Sequence, residues 1–222
     1  MNCKALLGLL LLATQLNAAV RHDGAEVGEW TMDYDAALKL AKKENLPVML
    51  NFTGSDWCHW CIQIEHKVFS QQTWQKFASS NIVLVTLDFP RRSKTVPDKY
   101  VTRNDQLAAK FGVQGYPTLM ILDSDGKTLL GKMGASRDMS PESFIKQFKH
   151  TTRFSQRGIE EFAKKNPEKA KALRAAAKKF RDSIKTLEAF IDQNPPRTEE
   201  NLKKFQAMQE RLQDAYTALQ KF

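Results

Sequence analysis

Cys58 and Cys61 are the residues best suited to chemistry, and two residues separate them in GSDWCHWC, residues 54–61. Such a pair can bind a metal, close a structural disulfide or exchange electrons with another disulfide. A structural bridge across so short a loop would constrain little of the unfolded chain and so contribute little stability. The spacing therefore favours a reactive pair over a structural one.

A metal site is the alternative that Cys-x-x-Cys leaves open, because the motif is half of a zinc site. His59 and His66 lie near the cysteines in the sequence, and only His150 follows them. Structural zinc takes four ligands, and no second Cys or His pair occurs downstream in the sequence. We therefore expect no bound metal.

The residues around the cysteines predict a buried strand that turns into a helix. PVMLNF, residues 47–52, is an apolar run of strand length. Gly-Ser-Asp then breaks the strand, and Ser55 or Asp56 is placed to cap a helix. A cysteine in the first turn of that helix meets unpaired backbone N–H groups, which favour the thiolate. We predict that Cys58 is the nucleophile and that Cys61, one turn on, resolves the mixed disulfide.

The order of the predicted elements describes an α/β domain with a mixed sheet that ends near residue 150. These elements are helix 33–44, strand 47–52, a helix to residue 69, a short helix at 74–78, strand 81–89, helix 104–111, two strands around an Asp125–Gly126 turn, and a helix from Ser140 to about Lys149. Residues 90–103 are predicted to form a long, polar and basic loop, because Pro90 ends the preceding strand.

The first residues have the pattern of a cleaved export signal. Lys4 supplies a positive charge, residues 5–13 form an apolar run, and small residues around Ala18 suit cleavage. The apolar run is too short to span a bilayer. We predict a signal peptide over residues 1–18, and an exported mature protein from which Cys3 has been removed.

Residues 151–222 differ in kind from the rest of the chain. Apolar residues recur at alternating intervals of four and three from Leu173 to Ile191, and again from Phe205 to Phe222. The segment NPPRT interrupts the two runs, because two prolines cannot continue a helix. We predict a C-terminal helical hairpin that closes on itself or on the α/β domain. An arm for dimerisation or partner docking is the alternative.

The sequence is basic, with a net charge of +9, and residues 151–222 hold 16 basic and 10 acidic side chains. Solvated faces of charged helices explain such a pattern. The interleaving of aromatic and basic residues that stacks nucleic-acid bases is missing, so no nucleic-acid partner is expected. Acidic substrates and an anionic membrane surface both stay open as partners.

Two stretches carry a resemblance to a known superfamily. VMLNFTGSDWCHWC resembles the strand, loop and helix start of thioredoxin-like proteins, and GVQGYPTLMILDSDGK resembles their later Gly-x-Pro-Thr segment. The likeness covers residues 27–150 and implies the thioredoxin fold, a central mixed β-sheet flanked by helices, in a domain that we place at residues 19–150. It also implies a cis Tyr116–Pro117 peptide bond that faces the cysteines, where the neighbouring backbone binds an extended substrate; cis bonds are nearly confined to X-Pro.

Within that superfamily, LPVMLNFTGSDWC and IEHKVFS are similar to stretches of DsbH-type periplasmic reductases and of the C-terminal domain of the electron transporter DsbD. This likeness places a glutamate at the position of Glu65. One turn beyond Cys61, Glu65 is either a general base or a plain exposed glutamate. Thioredoxins carry a buried aspartate where this chain has Asn51, which cannot accept a proton from Cys61.

The dipeptide between the cysteines is His59-Trp60 rather than the Gly-Pro of thioredoxins. The resemblance places it on the face that meets substrates, where it tunes the reduction potential. Trp57 and Trp60 together can form an apolar platform around the sulfur. We predict a substrate-binding surface made of Trp57, His59, Trp60, Tyr116 and Pro117.

The resemblance implies an exported, periplasmic thiol-disulfide oxidoreductase without a bound cofactor. The favoured direction is reduction of disulfides in substrate proteins, followed by re-reduction by a membrane electron donor of the DsbD type. A disulfide isomerase, held as a homodimer by the C-terminal helices, is one alternative. A non-catalytic binding module that uses the same fold as a clamp for unfolded chains is the other.

Overall fold

The computed structural model describes residues 20–222, so the predicted signal peptide and Cys3 lie outside the described residues. The strands are β1 (Trp30–Thr31), β2 (Val48–Thr53), β3 (Val83–Asp88), β4 (Thr118–Leu122) and β5 (Leu129–Met133). The helices are α1 (Tyr34–Glu44), α2 (His59–Ile64), α3 (Gln72–Asn81), α4 (Asp98–Lys110), α5 (Pro141–Thr151), α6 (Gln156–Lys165), α7 (Pro167–Asp192) and α8 (Glu199–Leu219). A π-helical turn, Glu65–Phe69, continues α2.

The strands of residues 20–222 form one sheet in the order β1-β3-β2-β4-β5. The first three run parallel, whereas β4 is antiparallel to β2 and β5 is antiparallel to β4. The predicted α/β fold with a mixed sheet is therefore confirmed. Because Phe52 pairs with Thr118, the end of β2 and the beginning of β4 meet at one edge of the sheet. This edge is the one at which the parallel strands end, not an outer strand.

Helices cover both faces of this sheet, which explains why β2 is apolar without alternation. Met49 points to one face and packs with Ile64 and Trp74 from α2 and α3. Its neighbour Leu50 points to the other face and packs with residues of α1 and α4, including Ala41. Successive strand residues alternate between faces, so every residue of β2 is buried.

The prediction of a loop over residues 90–103 is wrong from Asp98 onward, because α4 begins there rather than at Asn104. Pro97 stands directly before the helix, a position where its missing N–H costs no hydrogen bond. Tyr100 is buried, and its hydroxyl donates to the carbonyl oxygen of His22 at 2.6 Å. The helix therefore has a long-range anchor that the polar, basic sequence of residues 90–103 does not reveal.

The C-terminal region contains the predicted hairpin of α7 and α8, which pack along each other. One additional helix, α6, precedes the hairpin, and a small core holds the three together through Ile159, Leu173 and Leu219. None of the helices between residues 20 and 222 is both long and apolar enough to cross a membrane.

The hairpin is joined to the sheet through Asp123, which is almost fully buried just after β4. Its carboxylate accepts from the Gln156 backbone N–H at 2.9 Å and lies 3.3 Å from the guanidinium of Arg181. Leu122 pairs with Val48 at the beginning of β2, so this junction is at the opposite edge of the sheet from the end of β2. The C-terminal helices are thus attached away from the cysteines.

Candidate active site

Cys58 and Cys61 form a disulfide at the beginning of α2, with their Cα atoms 5.2 Å apart. Cys58 is itself the N-cap of this helix, and its Sγ accepts a hydrogen bond from the backbone N–H of Cys61 at 3.2 Å. The prediction that Ser55 or Asp56 caps the helix is therefore wrong. The two cysteines are 6 % and 4 % exposed, so only a narrow edge of the bridge is open to an incoming sulfur.

Ser55 and Asp56 instead tie the cysteine turn to the segment that follows β3. The Ser55 hydroxyl and N–H donate to the buried carboxylate of Asp88 at 2.6 and 2.9 Å. The Asp56 carboxylate accepts backbone N–H groups from residues 91–93 at 2.7–3.0 Å. These bonds, led by the Arg91 N–H, lower the pKa of Asp56 to about 2.

Trp57 links three segments around the cysteines. Its Nε1–H donates to the carbonyl oxygen of Phe89 at 2.8 Å, and the guanidinium of Arg91 stacks over its ring at 3.7 Å. Its edge meets the ring of Tyr116, with ring centroids 5.7 Å apart. A Cβ at Gly54 would approach the Trp57 ring to 2.5 Å, so glycine is needed where the turn passes this side chain. The indole thus holds the turn, the segment after β3 and the segment before β4 together.

The peptide bond between Tyr116 and Pro117 is cis. Pro117 stands directly before β4, and the pairing of Thr118 with Phe52 brings it to the edge of the sheet where β2 runs into the cysteine turn. Tyr116 packs its ring against Phe89 at a centroid distance of 5.2 Å. The proline loop and the cysteines therefore lie at the same edge of the sheet.

His59 and Trp60 are exposed at the first turn of α2, with their rings in an edge contact at 5.8 Å. Trp60 is 41 % exposed, and Ile62 nearby is 38 % exposed. Trp57, by contrast, is only partly exposed and is held by the contacts above. The surface beside the disulfide is therefore formed by an aromatic ring, an imidazole and an aliphatic side chain.

A cleft of about 770 Å³ opens on the Cys61 side of the disulfide. Asn51 and Glu65 both line it with Cys61, and the backbone N–H of Gly54 donates to the Cys61 Sγ at 3.5 Å. The Asn51 side-chain oxygen is buried and has no hydrogen-bond partner among residues 20–222. Glu65 remains accessible at the cleft, but the protein around its carboxyl hinders hydration and raises its pKa.

The role of Asp56 and Asp88 is the part of the site that sequence analysis missed. Asp88 lies far from the cysteines along the chain, and only the parallel pairing of Thr53 with Asp88 places it beside the turn. Aligning PVMLNF and NIVLVTLDF as neighbouring parallel strands would have placed Asp88 beside the cysteine turn in advance. Nowhere in residues 20–222, the cysteine site included, do three His, Cys, Asp or Glu side chains come together in a way that could hold a metal ion.

The family of this chain follows from comparison with known proteins. A model of the thioredoxin-like domain matches residues 34–152, which is more than half of the sequence. The chain belongs to the thioredoxin-like family. In this family context the Cys58–Cys61 pair makes it a thiol-disulfide oxidoreductase.

Individual relatives agree with this placement. The disulfide bond reductase DsbH of Chlamydia pneumoniae is 33% identical over 140 residues, a match that covers 59% of this chain and 83% of the relative. The thiol:disulfide interchange protein DsbD of Actinobacillus pleuropneumoniae serotype 5b (strain L20) is 32% identical over 91 residues, covering 41% of this chain and 14% of that protein. A solved structure described as DsbH oxidoreductase superposes with a TM-score of 0.52 at 30% identity, covering 59% of this chain and 87% of that structure.

Proposed function

We propose that this chain is an exported reductase of protein disulfides, with Cys58 as the nucleophile and Cys61 as the resolving cysteine. The observation that carries the proposal is the Cys61 N–H directed at the Cys58 Sγ at the beginning of α2. In the reduced protein the same N–H and the positive helix end favour a thiolate on Cys58. A thiolate is the form of cysteine that attacks a disulfide.

The reaction transfers two electrons in two steps. The Cys58 thiolate attacks one sulfur of the substrate disulfide, forms a mixed disulfide and expels the other substrate sulfur, which takes up a proton. Cys61 then loses its proton and attacks the Cys58 Sγ, which expels the second substrate sulfur as a thiolate and closes the Cys58–Cys61 bridge. The substrate ends as a dithiol and the enzyme as a disulfide.

Glu65 is proposed as the base for the second step. It lines the same cleft as Cys61. Its raised pKa lies nearer to the pKa of a thiol than the pKa of an ordinary carboxyl does, which favours proton transfer between the two groups. Asn51 lines this cleft as well but cannot accept the proton. Proton transfer from Cys61 towards Glu65 through the cleft would therefore accompany closure of the bridge.

Substrate binding is proposed for the surface that surrounds the cysteines. Trp60 and His59 are exposed beside the disulfide, whereas Trp57 and Tyr116 form the wall behind it. The backbone next to the cis Pro117 bond, at the same edge of the sheet, is suited to pair with an extended substrate strand. Such a surface would accept segments of unfolded or loosely folded proteins.

The reductive direction is supported by the relative that is named a disulfide bond reductase, to which this chain is similar over most of that relative's length. The oxidised enzyme needs a dithiol donor that returns two electrons and two protons. A membrane electron donor of the DsbD type is proposed for that role, and the periplasm for the location. The proposal includes a signal peptide over residues 1–18, a catalytic domain over 19–150 and a helical extension over 151–222.

A homodimer through α7 and α8 is proposed as a second feature of the molecule. Ile191 and Leu202 are 52 % and 56 % exposed near the connection between these helices, and a second copy would remove them from water. Light scattering on the mature chain tests the dimer. A monomer at micromolar concentration would reject it, together with an isomerase that needs two linked active sites.

The reductase proposal is tested by turnover of a disulfide-containing protein with a chemical dithiol as the electron source. We expect Cys58→Ser to abolish the catalysed reduction and to leave the fold intact, as judged by circular dichroism. A folded Cys58→Ser variant that keeps the function would indicate a non-catalytic binding module instead. Lys179→Gln, an exposed position on α7 away from the cysteines, is the control that should keep the turnover.

A further inference from the structure

Three basic side chains in the segment after β3 have no ionic partner. Arg91, Arg92 and Lys94 are all exposed, and none of them takes part in the salt bridges formed among residues 20–222. We call these three residues the basic rim. Cations that serve only solubility are usually spread over a surface, whereas these three lie within four consecutive positions.

The basic rim is held in a fixed place by its backbone. The N–H groups of Arg91 and Arg92 donate to the Asp56 carboxylate at 3.0 and 2.7 Å, and the Ser93 N–H donates to it at 2.9 Å. The Arg91 guanidinium is also stacked over Trp57 at 3.7 Å. The segment is therefore fixed to the cysteine turn, and the backbone that carries the three cations has a defined position relative to the disulfide.

That position is next to the reacting sulfurs. Arg91 stacks on the residue directly before Cys58, and Lys94 lines the same cleft as Cys61. A polypeptide that brings a sulfur to the exposed edge of the Cys58–Cys61 bridge therefore approaches the side chains of Arg91 and Lys94. At physiological salt, charges act over about 8 Å, which is the length of two to three extended residues.

Two of the carboxylates near the rim, Asp56 and Asp88, are already engaged by the protein itself, whereas Glu65 lines the cleft with Lys94 and stays accessible. Asp56 accepts the three backbone N–H groups described above, and Asp88 is buried and accepts from Ser55. Both carboxylates are turned towards the protein rather than towards a ligand. The rim therefore presents its positive charge outward at the site of substrate entry.

We propose that the basic rim binds acidic residues next to the disulfide of a polypeptide substrate, and that it selects substrates whose disulfide has Asp or Glu within about three residues. Exposed complementary charges of this kind raise the rate of association more than the final affinity. The reaction step of this proposal rests on the proposed function, whereas the binding step does not. The selected class is thus an acidic, disulfide-containing polypeptide.

The test compares three peptides with the same disulfide, flanked by Asp, by Ser or by Lys. The second-order rate constant of the reduced protein is measured with each peptide at low and at high salt. Electrostatic steering changes association rates by a factor on the order of 10 or more, so we expect at least about a 10-fold preference for the Asp peptide over the Lys peptide at low salt. The triple variant Arg91→Gln, Arg92→Gln, Lys94→Gln should lose most of that ratio.

A matched variant removes the same charge elsewhere. Lys171→Gln, Lys179→Gln, Lys185→Gln changes exposed lysines on α7, which joins the sheet at the edge away from the cysteines, and should keep the full ratio. Equal rates for the Asp and Lys peptides with the wild type, or an unchanged ratio in the triple variant of the rim, would overturn the proposal.

Binding is measured separately, so that a failure of the proposed function can be distinguished from a failure of the rim. A fluorescently labelled Asp peptide without cysteine is titrated with the oxidised protein, and anisotropy reports the complex. We expect binding that salt weakens and that the rim variant loses, even if no disulfide is reduced. Binding that is equal for the Asp and Lys peptides would overturn the proposal, as would tight rim-dependent binding to anionic lipid vesicles with none to the Asp peptide.

Discussion

Replacement of Trp57 by phenylalanine tests whether this side chain joins the segments around the cysteines. Phenylalanine keeps an aromatic ring against Tyr116 but has no N–H to donate to the Phe89 carbonyl, a bond of 2.8 Å in the wild type. It also offers a weaker ring to the guanidinium of Arg91. The variant therefore loosens the segment after β3 without touching either sulfur.

The size of the effect can be worked out from these contacts. The lost hydrogen bond is worth about 1 kcal/mol net, and the weaker cation–π contact about 0.5 kcal/mol at a partly exposed site. The sum is a destabilisation of about 1–2 kcal/mol, with the unpaired Phe89 carbonyl towards the upper end. For a chain of this size each kcal/mol lowers Tm by about 2–4 °C, so we expect a fall of about 2–8 °C.

Thermal and urea unfolding of the oxidised protein measure this difference. Trp60→Phe is the matched control, because Trp60 is 41 % exposed and its aromatic contact is with the likewise exposed His59 of the same helix turn; its change should stay within about 0.5 kcal/mol. A Trp57→Phe variant as stable as the wild type, or no less stable than Trp60→Phe, would refute the assigned role of Trp57.

Three further changes follow from the site. Cys61→Ser should trap substrate as a mixed disulfide on Cys58, seen as a mass increase that reducing agent removes; no adduct would argue against Cys58 as the nucleophile. The raised pKa of Glu65 means that stability is lost as pH rises through that pKa, so Glu65→Gln should match the wild type in Tm at pH 4 and exceed it at pH 7.5; an equal Tm at both pH values would contradict the shift. The lowered pKa of Asp56 gives the opposite sign, because its contribution is complete above the ordinary value of 3.8 and is lost as pH falls through about 2. Asp56→Asn should therefore be less stable than the wild type at neutral pH and approach it near pH 2, and a constant gap would contradict this.

The catalytic domain could be predicted from the sequence because its signals are local. The buried run of β2 and the Asp125–Gly126 turn each lie within one short segment. The Ser140-Pro141 helix start is equally local, and in the structure it is a capping box. The parallel and antiparallel order then follows from the number and spacing of these elements. Each of these features is decided by residues that are neighbours along the chain.

The parts that escaped prediction depend on contacts between distant residues. Ser55 and Asp56 are good helix caps by type, but partners from the segment after β3 compete for them, and Cys58 takes the capping position. The early start of α4 likewise depends on Tyr100 reaching the carbonyl of His22. Propensity describes what a segment can do alone, and these partners become available only when the fold is formed.

The reduction potential of the Cys58–Cys61 pair tests the central claim most directly, by equilibrating the mature protein against glutathione. A reductase must have a reduction potential below that of the substrate disulfides, because electrons flow from the lower to the higher potential. We expect a value of about −270 mV, where thioredoxin lies. A value of about −120 mV, typical of a strong oxidant, would mean that the chain donates its disulfide to substrates and would contradict the proposed direction.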